Sequence, residues 1–494
     1  MFTSKQKNLL LFILAIPFYA GCTVGPDYQP PQPDVPDQWH QQLVEGFQVD
    51  GSMPMQWWQL IDDPILSDLI TQARQNNPDL GSAYWNLVQA RYWRDYVTGN
   101  YDPSVNAVGS YTRSEYSENG FFGAGSSDPF DTYSVGFDAV WEFDVFGRFK
   151  RAEESAQASY EAQVENYRDV MVSLSAEVAR NYVELRTVQA RIEYTLQNIE
   201  SQEGTLELAN ARFRSELVSR LDVEQAKLNL TDTQSQVPPL RSREQAAMNR
   251  LCVLVGKNPG QLQDLLADSK QIPSLPENVS ISMPADLLRQ RPDIRRAERE
   301  LAAQSAQIGY ATAYLYPSFS LTGNIGLEAM DFSNLFERGS RNYGFGPSFR
   351  WNIFNGGRIR NQIRIEESKS EFLYQQYRSA VLTALEEVES TLTDYMQELQ
   401  RMTSLQESVA AAKESVDLVR DQYKNGLTDF QNVLILQRSQ LVQEDKLVQS
   451  EGQVILNLIR LYKALGGWGE ALPQAEGQDV QSPDRQDELT NGSI

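Results

Sequence analysis

The sequence predicts a mainly α-helical protein that also carries membrane-spanning β-strands and is built as an internal tandem repeat. Two stretches of 67 residues, 148–214 and 358–424, contain no proline and only one glycine, Gly204. At about 1.5 Å per residue, a continuous helix of that length extends roughly 100 Å, far beyond an ordinary globular helix. Segments preceding each stretch instead alternate apolar and polar residues, which is typical of β-strands.

Apolar residues recur at every seventh position along both predicted helices. This spacing predicts a left-handed supercoil against a neighbouring helix. Either stretch alone would equally fit a plain coiled-coil dimer. The positions are Val164, Met171, Val178, Leu185, Ile192, Ile199, Leu206 and Phe213 in the first helix, and Tyr374, Val381, Val388, Tyr395, Met402, Val409, Val416 and Tyr423 in the second.

The N-terminus has the pattern of a bacterial lipoprotein signal. Lys5 and Lys7 precede an apolar segment, 9–20, that is too short to span a bilayer. We expect residues 1–21 to be removed and Cys22 to receive covalent diacylglycerol and an acyl chain. An ordinary signal peptide followed by an incidental cysteine is the alternative. Residues 22–60 are rich in proline and predict a lipidated, extended N-terminal strap.

The chain contains the same sequence pattern twice. Trp141 matches Trp351, and Gly147 and Arg148 match Gly357 and Arg358, at a common offset of 210 residues. Because this offset is a whole number of heptads, the two apolar seams share one register. We interpret the pattern as a duplication.

Each repeat is predicted to contain two strands, a long helix, a turn and a return helix. The first repeat, 61–260, has strands near 103–116 and 132–145, the long helix 148–214 and a return helix near 217–256. A linker, 261–280, leads to the second repeat, 281–467, which has strands near 317–328 and 342–354, the long helix 358–424 and a return helix near 428–465. Pro238 and Pro239 predict a break or kink in the first return helix. Residues 468–494 are expected to form a polar tail.

The four predicted strands each have one apolar, aromatic face and one polar face. Their length of about 10–13 residues suits strands that cross a membrane. Four strands cannot close, and an open sheet edge cannot lie in lipid. Two copies of the chain would give a filled eight-stranded barrel, and three would give a 12-stranded barrel with a lumen. A half-buried sheet in a soluble protein is the alternative.

Composition argues against several function classes. The formal net charge of −22 disfavours nucleic acid as a partner, and the single histidine, His40, leaves no basis for a histidine-based catalytic or metal site. The two cysteines provide no disulfide framework, and Cys252 is expected to be a buried core residue. Walker A, GxGxxG and HExxH motifs are absent from the sequence. We therefore expect no enzyme activity and no cofactor besides the covalent lipid.

Together these features resemble the TolC-type outer-membrane efflux channels, in the lipoprotein branch typified by OprM and NodT. The resemblance covers nearly the whole mature chain and is carried by CTVGPDY at 22–28, WEFDVFGR at 141–148, MPADLLRQRPDIRRAERELAAQSAQIGYATAYLYPSFSLTG at 283–323 and WNIFNGGR at 351–358. It implies a homotrimer whose 12-stranded β-barrel lies in outer-membrane lipid and continues into a long periplasmic α-helical barrel.

The resemblance also implies a function. The chain is expected to form the passive exit duct of a tripartite pump, for small molecules such as drugs, in the bacterial outer membrane. Its expected partners are a periplasmic membrane-fusion adaptor and an inner-membrane efflux transporter. A type I secretion conduit for proteins and an envelope coiled-coil scaffold without a pore are the alternatives.

In this family, adaptor docking and closure belong to the two turns between the long and return helices. The corresponding docking residues are Ser215, Glu216, Leu217, Val218, Ser219, Asn425, Gly426, Leu427 and Thr428, and the candidate gate residues are Asp222, Tyr423, Asp429, Asn432 and Ile435. Asp222 matches an acidic gate position, whereas Asn432 and Ile435 stand where relatives carry acidic constriction residues.

The residue types at the two turns also predict their backbone geometry. Gly426 suits the left-handed residue that ends a helix, while Glu216 replaces glycine at the matching position. Thr428 or Asp429 can cap the second return helix, and Ser219 or Asp222 the first.

Overall fold

The structure is a computed structural model that describes residues 23–41, 47–48, 56–117, 128–268, 271–274, 279–280 and 283–467. The predicted signal peptide, the predicted lipidation site Cys22 and the predicted tail 468–494 lie outside the described residues. The chain divides into two compact units. The first draws on Met1–Pro36, Pro78–Val170 and Arg291–Glu386, and the second on Asp37–Asn77, Met171–Gln290 and Glu387–Ile494.

The first unit contains an antiparallel sheet of four strands. In chain order these are β1 (Ser104–Ser114), β2 (Phe130–Phe143), β3 (Ser318–Ala329) and β4 (Arg341–Arg350). The strands pair in the order β1-β2-β3-β4, so each repeat contributes one hairpin. The pairing of β2 with β3 joins the two hairpins into one sheet. Within the described residues, the outer edges of β1 and β4 have no partner strand.

Side chains alternate strictly between the two faces of this sheet, because successive residues of a strand point in opposite directions. On one face, polar side chains on paired strands hydrogen-bond to each other. Asn106 donates to Asp138 at 3.2 Å, and the hydroxyls of Ser320 and Ser348 lie 2.9 Å apart. The other face is aromatic and open, with Phe345 exposed to 83%.

The last strand is shorter than predicted. β4 ends at Arg350, whereas the alternation of residues extended it to about 354. Arg350 pairs with Ser318, the first residue of β3, so the following residues of the chain have no β3 residue opposite them. Trp351 leaves the ladder and donates its indole N–H to the carbonyl of Leu315 at 3.0 Å.

The helices of the first unit precede or follow the strands of the sheet along the chain. They are α2 (Pro78–Thr98), the N-terminal part of α3 (Arg148–Arg214), α7 (Pro292–Ala313) and the N-terminal part of α8 (Arg358–Lys424). Small residues make up much of the buried face of α7, which allows neighbouring helices to approach closely; they are Ala302, Ala303, Ala306, Gly309, Ala311 and Ala313.

The second unit contains the rest of α3 and α8 and the shorter helices. These are α1 (Pro64–Asn76), α4 (Arg220–Leu254), α5 (Gln263–Leu266), α6 (Pro284–Gln290) and α9 (Phe430–Ala464). The segment predicted as a linker, 261–280, therefore includes a short helix. It also contains Val279–Ser280, which pairs in parallel with Phe47–Gln48.

Both long helices have the bounds expected from the sequence, but the return helices differ in detail. α4 continues through Pro238 and Pro239, so the predicted break is wrong. α4 and α9 begin two or three residues later than predicted, because residues 215–219 and 425–429 are used by the turns. Within the described ranges, no helix is both long enough and apolar enough to cross a bilayer.

Candidate functional site

Two turns in the second unit, Ser215–Ser219 and Asn425–Asp429, join the long helices to the return helices. They have the same hydrogen-bond pattern. The Leu217 N–H donates to the carbonyl of Arg212 at 2.9 Å, and the Leu427 N–H donates to the carbonyl of Gln422 at 2.9 Å. Each is a Schellman motif, which satisfies carbonyls left without partners where a helix ends.

The residue that closes each motif is left-handed. Gly426 has φ +73°, as predicted, and Glu216 has φ +55° at the matching position. A side chain makes this conformation unfavourable by about 1–2 kcal/mol, whereas glycine adopts it freely. The first turn therefore keeps the geometry of the second despite its glutamate.

Both turns expose a leucine immediately after the left-handed residue. Leu217 is 66% exposed and Leu427 is 76% exposed. Ser215, Ser219 and Asn425 are exposed as well, whereas Val218 packs against an apolar cluster beneath the turns. The two turns therefore present an exposed leucine at equivalent positions.

This apolar cluster joins the ends of α3, α4, α8 and α9. Tyr423 is at its centre, 2% exposed, with its ring centroid 5.1 Å from that of Phe430. The other buried members are Ala209, Ala226, Val419, Val433 and Leu434. Phe213, which occupies the position of Tyr423 in the first repeat, is exposed instead. The two turns are thus alike in backbone and different in packing.

The structure brings two of the predicted gate residues together. The Tyr423 hydroxyl donates to Asp222 Oδ2 at 3.4 Å, and the Ser219 hydroxyl donates to Asp222 Oδ1 at 3.2 Å. Burial, reinforced by the charge of Asp222, raises the pKa of Tyr423 to about 12. The phenol is therefore protonated in neutral solution and available as the donor, linking α8 to the first turn of α4.

The other predicted gate residues lie apart from this pair. Asp429 precedes α9 as its N-cap residue without a capping bond from its side chain. Asn432 donates to the Thr428 hydroxyl at 3.0 Å, and Ile435 is 55% exposed. In the described part of the chain, hydrogen bonds do not connect these residues to Asp222 or Tyr423.

Arg212 is a functional candidate that the sequence reasoning missed. Its Nη1 donates to the carbonyl oxygens of Tyr423 and Lys424, the latter at 3.1 Å, and its guanidinium carbon lies 4.7 Å from the centre of the Tyr423 ring. A cation near the C-terminal carbonyls of a helix stabilises that helix end. Here Arg212, a residue of α3, provides this charge at the end of α8, and its guanidinium also packs over the ring of Tyr423. The available signal was the mismatch between Arg212 and Gln422, its counterpart in the repeat.

We expect Arg212→Ala to loosen the turns. It removes charge-assisted hydrogen bonds worth roughly 1.5–3 kcal/mol each. Hydrogen exchange at the end of α8 should rise at least tenfold, and the conductance of the protein in planar bilayers should increase. Arg214→Ala is the matched control, because Arg214 is exposed in the same helical turn and its side chain makes no hydrogen bond within the described residues. Equal effects of the two substitutions would contradict the role of Arg212.

The described residues of the site show no features of a metal centre. Among the described residues, no group of three or more His, Cys, Asp or Glu side chains is placed to hold a metal ion. The chemistry available at the turns is hydrogen bonding, ion pairing and apolar contact.

Comparisons with known proteins identify the class of protein. The structure matches that of the outer-membrane channel OprN with a TM-score of 0.85 and 32% identity, over 90% of this chain and 99% of that chain. The sequence is 31% identical over 469 residues to the solvent efflux pump outer membrane protein SrpC of Pseudomonas putida, covering 94% of this chain and 98% of the relative. It is 29% identical over 445 residues to nodulation protein T of Rhizobium leguminosarum bv. trifolii, covering 88% and 92%. The fold is that of the TolC-like outer-membrane channels.

The sequence profile of the outer membrane efflux protein family matches residues 69–257 and 283–467, once in each repeat. The chain belongs to this family and is an outer-membrane efflux channel. The predicted resemblance and fold class are confirmed, with one four-stranded antiparallel sheet in the described part of a mostly helical chain. The family consists of channels rather than enzymes, which favours the predicted duct over the scaffold without a pore.

Proposed function

We propose that three copies of this chain close a single passive duct that exports small molecules from a tripartite pump. The observation that carries this proposal is that the outer edges of β1 and β4 have no partner strand among the described residues, on a sheet with an open aromatic face. Backbone groups without partners are costly in lipid, so such edges must pair when the sheet enters a membrane. Pairing β4 of one copy with β1 of the next satisfies both edges, and three copies leave a lumen.

Helices of the first unit support closure between copies. α2 exposes Trp85, Tyr92 and Tyr96 at helical spacing, and α8 exposes Ile365 and Phe372. Clusters of exposed, mostly aromatic side chains such as these are typical of protein interfaces. Pairing of β4 with β1 would bring these two apolar faces of adjacent copies within reach of each other.

The assignment of cargo and partners rests on other observations. SrpC is named for a solvent efflux pump, so small molecules are the proposed cargo, in preference to the proteins carried by a type I secretion conduit. Leu217 and Leu427 supply apolar contacts for a periplasmic membrane-fusion adaptor, which would connect the duct to an inner-membrane transporter. Cys22, preceded by a short apolar segment, is the proposed attachment point of a lipid anchor.

Three measurements test the proposal together. Crosslinking in outer-membrane fractions should yield trimers, and the purified protein should conduct ions in planar bilayers. Deleting the gene should sensitise cells to solvents or drugs without changing the proteins they secrete. Dimers or monomers would contradict closure by three copies, and loss of a secreted protein with unchanged drug sensitivity would favour the type I secretion conduit.

A further inference from the structure

The first described residues of the chain, Thr23–Tyr28, lie against the body of the first unit. The Val24 N–H donates to the carbonyl of Phe146 at 3.2 Å. Arg151, in the first turn of α3, donates to the carbonyls of Val24 and Gly25 at 3.0 and 3.2 Å and to Asp27 Oδ1 at 2.8 Å. We call Thr23–Tyr28 the docked segment.

Arg151 directs three of its four side-chain hydrogen bonds to this segment. Its side chain is only 4% exposed, and its remaining ion-pair partner is Glu154, at 2.7 Å. Burial alone lowers the pKa of Arg151, but the hydrogen bonds to Asp27 and Glu154 raise it overall, so the group stays charged. If the segment left, three of the bonds that satisfy a buried guanidinium would be lost, which is costly unless water or other groups replace them.

Three glycines from separate parts of the chain make room for the docked segment. Gly25 has φ +87°, and a Cβ built on it would collide with the backbone of Gly309 in α7. A Cβ on Gly309 would lie 2.8 Å from the side chain of Arg151, and one on Gly147 would lie 2.9 Å from the backbone of Thr23. Side chains at any of these positions would push the segment or the arginine away.

The far end of the segment is held by a second contact. The Tyr28 hydroxyl donates to Glu298 Oε1 of α7 at 3.2 Å, and the Arg299 guanidinium carbon lies 5.8 Å from the centre of the Tyr28 ring. Arg299 also pairs with Glu161 of α3 at 3.1 Å. The segment therefore contacts α3 at one end and, at the other, an ion pair that joins α3 to α7.

That ion pair belongs to a series along the α3–α7 boundary. Arg295 pairs with Glu165 at 2.7 Å, and Arg296 pairs with Asp169 at 3.4 Å. α3 comes from the first repeat and α7 from the second. The docked segment lies across the boundary at the end of this series nearest the sheet, because Gly147 follows the end of β2 by only four residues.

We propose that Gly147, Arg151, Glu298 and Gly309 form a binding site for residues 23–28, which fastens the two repeats together and fixes where Thr23 leaves the body of the protein. Thr23 is thereby held next to the junction between β2 and α3, at the level where the sheet ends. A lipid on Cys22 would start from this fixed level; this consequence rests on the proposed function, whereas the docking itself does not.

The test is hydrogen exchange by mass spectrometry on the full-length protein in detergent. We expect Arg151→Gln to raise exchange in residues 23–28 at least tenfold. Arg296→Gln is the matched control, because it removes an ion pair from the same boundary without contacting the segment. Gly25→Ala provides a second variant, placed outside every helix and strand, in which the added Cβ should release the segment in the same way.

A lipid-free protein separates the two proposals. Cys22→Ser, exported with an ordinary cleavable signal peptide, should keep the slow exchange of residues 23–28, since the contacts are made by protein atoms. The docking proposal is overturned if Arg151→Gln and Gly25→Ala leave exchange unchanged, or if Cys22→Ser alone releases the segment. Absence of lipid on the wild-type Cys22, or absence of trimers, would instead overturn the proposed function and leave the docking result intact.

Discussion

Replacing Gly426 with proline is expected to abolish export while leaving the barrel assembled. Gly426 has φ +73°, which proline cannot adopt, and its N–H donates to the carbonyl of Tyr423 at 3.0 Å. The substitution removes that bond and forces the turn out of its Schellman geometry, at a cost of about 3 kcal/mol or more. Drug sensitivity of cells that depend on this channel should match that of a deletion strain, and crosslinked trimers should be recovered at the wild-type yield.

Glu216→Gly is the matched control for this prediction. It changes the corresponding position of the first turn, φ +55°, to the residue that the conformation favours. Relief of the left-handed strain, offset by the greater flexibility of glycine in the unfolded chain, should leave stability unchanged or raise it by up to about 1 kcal/mol. Export should persist. Equal loss of export in both variants would mean that the identity of the turn residues matters more than the backbone geometry.

The second large effect is expected from a lysine on the aromatic face of the sheet. Ile325 is 64% exposed and pairs with Phe137 and Tyr343 of the adjacent strands. If this face contacts lipid, Ile325→Lys costs about 2–4 kcal/mol in each chain, repeated in every copy of the proposed trimer. Assembled trimers should disappear from outer-membrane fractions.

The neighbouring residue provides the control. Asn324 lies on the opposite face, where it pairs with Asp138. Asn324→Lys places a cation beside this carboxylate on the polar side of the sheet, so trimers should assemble normally. If both substitutions prevented assembly, or if Ile325→Lys were harmless, the aromatic face would not be the lipid face.

The long helices were predictable because their signals are local. Neither contains proline, and Gly147 and Gly357, both at positive φ, precede them directly. The heptad seam of α8 is buried from Val381 onward, although Met402 is only partly so. Periodicity and composition thus specified which residues form these helices and, in α8 from Val381 onward, which face is packed.

The contacts at the turns were less predictable, because they depend on residues far apart in sequence. Arg212 donates hydrogen bonds to carbonyl groups 211 and 212 residues later in the chain, and no local sequence pattern predicts these contacts. Phe213 and Tyr423 occupy the same position of the repeat, yet one is exposed and the other buried. The docked segment was similarly invisible, since it depends on glycines in three separate segments.

Equal helix lengths in the two repeats restrict how the gene can change. α3 and α8 each have 67 residues, and α4 and α9 each have 35. Inserting one residue in a single helix rotates every later residue by about 100° and moves the apolar seam off its neighbours. A viable change in reach requires whole heptads, added or removed in all four helices at once, in steps of about 10.5 Å. Natural variation in this region should therefore consist of substitutions. An engineered channel of different length would need insertions or deletions in multiples of seven residues.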